Sequence, residues 1–242
     1  PDTEVLNLGV VGYDVLEQVR FFELVGRQLD PDLVVIGFHV NDVGFASPSR
    51  EYVQRLESYG APIYRLRLAQ VVRRWADRRA LTRQHQLTDS EEYFVQENKD
   101  WIALSDPESD TIGRLAELVQ ADEELQRGAH RYLRWYRSPA RIGKLRTALE
   151  RLRAHAEADG FEVLLFPIPW LADGVNEEAY DLAFGLVRSE AERCGFEWLD
   201  TLPVTRAAGH ESLRIEAGDH GHPNARGHQL LADALAARLA GD

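Results

Sequence analysis

Leu33-Val34-Val35-Ile36-Gly37-Phe38 is an unbroken apolar run rich in β-branched residues. Such a run has no polar face to turn to water, so it predicts a strand buried on both faces, as in a parallel sheet. Upstream, Asp14 with Glu17 three residues later forms a capping box. From there to Leu29, Val15, Val19, Phe22 and Val25 recur at helical spacing, and Pro31 ends the pattern. Further back, Val5-Leu6-Asn7-Leu8 is a short apolar run closed by Gly9 and Gly12, which reads as another buried strand. Strand, helix and strand within this length make a βαβ unit with a right-handed crossover.

The same rhythm returns toward the C-terminus. Residues 142–158 carry Leu145, Leu149 and Leu152 on one helical stripe, with Gly160 as the stop. Residues 161–168 read as the next strand, with Pro167 and Pro169 at its close. Residues 177–194 read as a helix capped by Gly195, and residues 196–199 as a short strand. A final helix spans about 224–239, with Leu231, Leu235 and Leu239 expected inside. Alternating β and α segments predict a parallel, doubly wound sheet of the α/β class. Residues 46–138 break the rhythm and are far longer than an αβ connection requires. They read as a helical insertion on the edge or rim of the sheet. It holds an arginine-rich helix over 64–84, an acidic stretch over 89–110 and a helix over 111–135 with Leu115, Leu118 and Leu125 inward. The arginine-rich helix reads as a solvated face paired with the acidic stretch, with anionic-substrate or membrane-surface binding as the competing use.

The whole chain of 242 residues reads as one domain carrying this insertion. A net charge of −12 argues against a general nucleic-acid binder. No apolar run is long enough for an integral membrane segment. The single cysteine, Cys194, excludes an internal disulfide framework and a cysteine-rich metal site. Composition leaves compartment and oligomeric state open. The chain opens Pro1-Asp2-Thr3-Glu4 and reaches a strand signal at once, which reads as an N-terminally incomplete domain.

Three clusters follow strands, and the C-terminal strand ends of a parallel sheet form its ligand crevice. The first is Asn7-x-Gly9-x-x-Gly12, where glycine lets a backbone N–H approach a ligand closely; a plain tight turn is the competing reading. The second is Asn41-Asp42. An asparagine amide donates to a developing oxyanion, although an Asx turn or helix cap explains the same pair. The third is Asp219-His220-Gly221-His222-Pro223-Asn224, followed by Gly227-His228. A carboxylate that accepts the Nδ1 proton of an imidazole fixes the tautomer and frees Nε2 as a base. A second chemistry for this stretch is a metal held by Asp219, His220 and His222, which would supply hydroxide as nucleophile.

Taken in order, Asn-x-Gly-x-x-Gly, Gly-x-x-x-Asn-Asp and Asp-x-x-His-Pro-Asn-x-x-Gly-His resemble the SGNH hydrolases, also called the GDSL esterase/lipase family. The resemblance covers residues 5–42 and about 139–240. It implies a flavodoxin-like three-layer α/β/α fold and hydrolysis or transfer of acyl groups on small-molecule, carbohydrate or lipid esters. It requires no cofactor and no metal. Carried over, His222 is the general base, Asp219 its orienting partner, and Gly12 and Asn41 donors to the oxyanion hole. Val11 stands where many relatives have proline. The family's nucleophile is the serine of a Gly-Asp-Ser turn at the end of the first strand, and this sequence has no Gly-Asp-Ser. In the family's strand order that first strand is central, between the strands expected at Val5 and Leu33, so its absence would leave a gap of about 10 Å, two strand spacings. Two explanations stay open: a nucleophile-bearing strand lies upstream of this chain, or the domain binds without turnover.

Overall fold

The structure, a computed structural model, describes residues 4–10, 12–43, 113–115, 117–118, 128–172 and 177–241. The helix expected over 64–84, the acidic stretch 89–110 and Leu125 lie outside the described residues.

Three strands form one parallel sheet: β1 (Leu33–His39), β2 (Glu162–Ile168) and β3 (Glu197–Trp198), in that spatial order. β1 and β2 are in register along their length, from Leu33 opposite Glu162 to His39 opposite Ile168. β3 is shorter than the sequence pattern, pairing only Glu197 and Trp198 with β2, and the Leu199 N–H continues the ladder to the Leu165 carbonyl at 2.9 Å.

The helices follow the expected order, and their ends have local causes. α1 (Val15–Leu24) starts at the predicted capping box. The Asp14 carboxylate accepts from the Glu17 N–H at 3.0 Å, and Glu17 accepts from the Asp14 N–H at 2.9 Å. The helical pattern expected to reach Leu29 splits, because residues 26–29 tighten into a 3-10 turn that ends at Asp30 in the left-handed region. α2 (Pro139–Asp159) ends at Gly160, whose φ of 85° suits a residue without a Cβ. α3 (Glu177–Arg193) leads into β3, α4 (Leu202–Ala208) follows it, and α5 (Ala225–Ala240) closes the chain. The core lies between the sheet and α1, α2 and α3, around Phe38, Leu145, Leu149, Leu152, Leu165 and Val187. Residues 128–137 form a 3-10 segment that adds Leu133, Trp135 and Tyr136 to this core. Residues 113–115 and 117–118 are helical, with Leu115 buried.

Three expectations are corrected, and they share a cause. Val5–Leu8 is not a strand: residues 4–10 carry no regular structure, and Val5 is 85% and Leu6 52% exposed. Asn7 instead closes a local turn, its side-chain oxygen accepting from the Gly9 N–H at 2.9 Å. β1 is not buried on both faces, because Ile36 and Phe38 are buried while Val35 is 37% exposed. Of the α5 leucines expected inside, Leu231 is buried, Leu235 is half-buried and Leu239 is exposed. A strand needs a neighbour to satisfy its N–H and C=O groups. Among the described residues β1 pairs on one edge only, so Val5–Leu8 has no strand to join, and the sheet offers α5 little area to cover.

Candidate active site

The Asp219–His222 loop is built from the motif's other residues. Asn224 caps α5, its side-chain oxygen accepting from the Gly227 N–H at 3.1 Å. The same side chain donates its amide to the carbonyls of Ser212 and Arg214, both at 3.0 Å, so one residue starts the helix and anchors the preceding loop. Arg214 and Pro223 form a bridge across that loop. Gly227 is required by space: a Cβ there would lie 2.8 Å from Pro223 Cβ and 3.1 Å from the Leu213 carbonyl oxygen. The Pro-Asn-x-x-Gly pattern is therefore a packing rule for the base of the loop. At its tip, the Leu171 N–H donates to the His220 carbonyl at 2.8 Å and ties the loop to the segment that follows β2.

On this base Asp219 and His222 meet. His222 Nδ1 lies 2.9 Å from both Asp219 carboxylate oxygens. Asp219 Oδ1 also accepts the N–H groups of Gly221 and His222, each at 3.0 Å. Partial burial works against the charge, but these hydrogen bonds hold the Asp219 carboxyl below the usual carboxylate range. The carboxylate is thus ionised at neutral pH and can accept an Nδ1 proton, and the His222 side chain is 75% exposed. His228 is exposed on α5, apart from this pairing.

Asn41 sits in the turn after β1. Asp42, not Asn41, holds that turn: its carboxyl accepts from the His39 N–H at 2.8 Å, and its own N–H donates to the His39 carbonyl at 2.9 Å. The Asp42 carboxyl bond runs back to the residue three before it rather than forward as in an Asx turn, and the Asn41 side-chain oxygen lies 2.7 Å from His39 Nδ1. The turn is also tied to the first cluster. The Val15 N–H donates to the Asp42 carbonyl at 3.1 Å, and the Gln18 amide reaches both the Tyr13 carbonyl at 3.4 Å and Asp42 Oδ2 at 3.3 Å. Gly12 precedes Tyr13 in a turn with φ of 83°, a conformation that glycine adopts without strain.

Beneath these turns is a buried charge cluster that the sequence pattern alone does not show. Asp14 and Lys144 are fully buried and ion-paired, with Glu17 and Asp42 beside them. Burial pushes Glu17 up to about 8, reinforced by the charge of Asp14. Burial likewise pushes Asp42 up to about 8. Burial also raises Asp14, against the opposing pull of the Lys144 ammonium. A signal for Lys144 existed: Arg141, Lys144, Leu145, Ala148, Leu149 and Leu152 form one helical stripe, and all are buried.

His220 does not join Asp219 and His222 as a third ligand. Among the described residues no group of three or more His, Cys, Asp or Glu side chains is arranged to hold a metal ion. No serine hydroxyl among them bonds His222, and the Ser212 hydroxyl donates to the Ala208 and Gly209 carbonyls.

Asp219 and His222 lie beyond the carboxyl ends of the strands of a parallel α/β sheet, where such sheets form their ligand crevice. Residues 1–230 match the model of the GDSL-like Lipase/Acylhydrolase family, and the chain belongs to that family, whose members hydrolyse esters. No curated protein and no solved structure matches the chain. The α/β architecture and its parallel sheet agree with the flavodoxin-like arrangement of this family. No described helix is long and apolar enough to cross a membrane.

Proposed function

We propose that the protein cleaves or transfers acyl groups by a Ser-His-Asp mechanism, with His222 as the general base and Asp219 as its orienter. The observation that supports this most is the paired Nδ1 contact at 2.9 Å on an exposed His222 side chain. In this reading His222 Nε2 takes the proton of a serine hydroxyl as its oxygen attacks the ester carbonyl. The proton then passes to the leaving alcohol, and Asp219 stabilises the imidazolium between the two steps. The Gly12 N–H and the Asn41 Nδ2 amide donate to the tetrahedral oxyanion.

The nucleophile in this proposal is a serine outside these 242 residues, on a further strand beside β1. Among the described residues β1 pairs along one edge only and Val5–Leu8 joins no strand, and this supports the placement. The test is hydrolysis of p-nitrophenyl acetate by residues 1–242 and by the full-length gene product. Turnover in the longer protein only, reduced about 10²–10³-fold in kcat by Asn41→Ala, is the expected result. Robust turnover by residues 1–242, abolished by His222→Ala, would place the nucleophile inside the chain and overturn that part of the proposal.

A further inference from the structure

His39, the last residue of β1, lies between the two halves of the site. Its Nδ1 is 2.7 Å from Asn41 Oδ1. An amide oxygen only accepts, so a contact of that length needs a proton on Nδ1. The Asn41 backbone N–H is 3.5 Å from the same nitrogen, at the outer limit of a hydrogen bond, and the shorter contact decides the tautomer. The other nitrogen, Nε2, is buried and has no hydrogen-bond partner among the described residues. It faces the base loop: a Cβ on Gly221 would lie 3.8 Å from it. The ring also packs on Trp170, with centroids 5.4 Å apart, and Trp170 in turn meets the His220 ring.

We propose that His39 is a positioning residue for the oxyanion donor: its Nδ1–H holds Asn41 Oδ1 and so turns the Asn41 Nδ2 amide toward the developing charge. The inference rests on the oxyanion role proposed for Asn41. An asparagine side chain free to flip can turn its oxygen toward the oxyanion, and one fixed hydrogen bond to that oxygen removes the wrong orientation. Burial supports the assignment by pushing the His39 imidazole down to about 4, so the ring stays neutral and carries one proton, on Nδ1. The titratable groups around it are Asp42, which accepts its backbone N–H, and Asp219, His220 and His222 of the facing loop.

Nitrogen NMR of residues 1–242 labelled with 15N-histidine tests the hydrogen bond without requiring turnover. The expected result is a neutral, Nδ1-protonated His39 from pH 5 to 8, moving toward the Nε2-protonated tautomer in Asn41→Ala. An Nε2-protonated or cationic His39 in the wild type at pH 6, or a tautomer indifferent to Asn41→Ala, would overturn the proposal. The full-length protein tests its use in catalysis. His39→Ala should lower kcat about tenfold or more with KM changed less than about twofold, and should cost nothing further on the Asn41→Ala background. Additive losses would make His39 a packing residue only. An Nδ1-protonated His39 in a protein without esterase activity would instead count against the esterase reading and leave the His39–Asn41 bond intact.

Discussion

At the scale of single residues, the site depends on which groups carry charge. Asp219 is held ionised by three hydrogen bonds, and its charge as well as its shape serves His222. Asp219→Asn keeps an acceptor for the Gly221 and His222 N–H groups but presents a neutral partner to the imidazole. It should therefore lower kcat about 10³–10⁴-fold, the size of such a change within a Ser-His-Asp triad, with an unchanged circular dichroism spectrum. Asp42 works in the opposite direction. Its carboxyl is raised to about 8 when folded and returns near 4 when unfolded. Between those values the folded state holds a proton that the unfolded state has lost. Stability from Asp42 thus falls as pH rises from about 4 to about 8 and is level above that. Asp42→Asn, titrated with urea at pH 4.5, 6 and 8, should show a shallower decline than wild type. A slope equal to that of wild type would contradict the shift. Glu17 contributes the same sign over the same range, so the decline should not vanish.

At the scale of elements, α1 and α2 are locked by the buried Asp14–Lys144 pair under the Gly12 and Asn41 turns. Removing one partner leaves a desolvated charge, so Lys144→Met should cost about 3–5 kcal/mol in chemical unfolding. Asp14→Asn retains the capping acceptor, and the double variant should recover a large share of that loss. If the two single changes simply add, the pair is not coupled. Leu149→Ala, in the apolar part of the same helix, should cost about 2–5 kcal/mol through the cavity it opens. The capping box and the Leu145–Leu149–Leu152 stripe are legible in the sequence because both are local patterns of fixed spacing. Lys144 is not, because a lysine on an apolar stripe ordinarily reaches for solvent; only the tertiary approach of Asp14 supplies its counter-charge. His39 escaped notice for a similar reason. Nothing in its spacing separates a strand-end histidine from a hydrogen-bond partner two residues on, until the turn at Asp42 brings them together.

At the scale of the molecule, the sheet is legible in the sequence where an apolar run finds a partner among the described residues and misread where it does not. β1 and β2 fall where their apolar runs lie. Val5–Leu8 has the same composition yet makes no strand, since strand formation depends on a neighbour that composition cannot reveal. Hydrogen exchange should show this directly: the amides of Val5–Leu8 exchange without protection in residues 1–242 and become protected in the full-length gene product. Equal exchange in both proteins would argue against a further strand beside β1. The site follows the same division. The pairing of Asp219 with His222 and the capping by Asn224 are encoded within one short loop, whereas the approach of that loop to Asn41 through His39 and Gly221 is a property of the assembled sheet. The proposal that this loop supplies the base of an ester hydrolase is decided by steady-state p-nitrophenyl acetate hydrolysis in the full-length gene product and its His222→Ala variant. The variant should fold and lose at least about 10³-fold in kcat. A His222→Ala protein that retains wild-type turnover would contradict it.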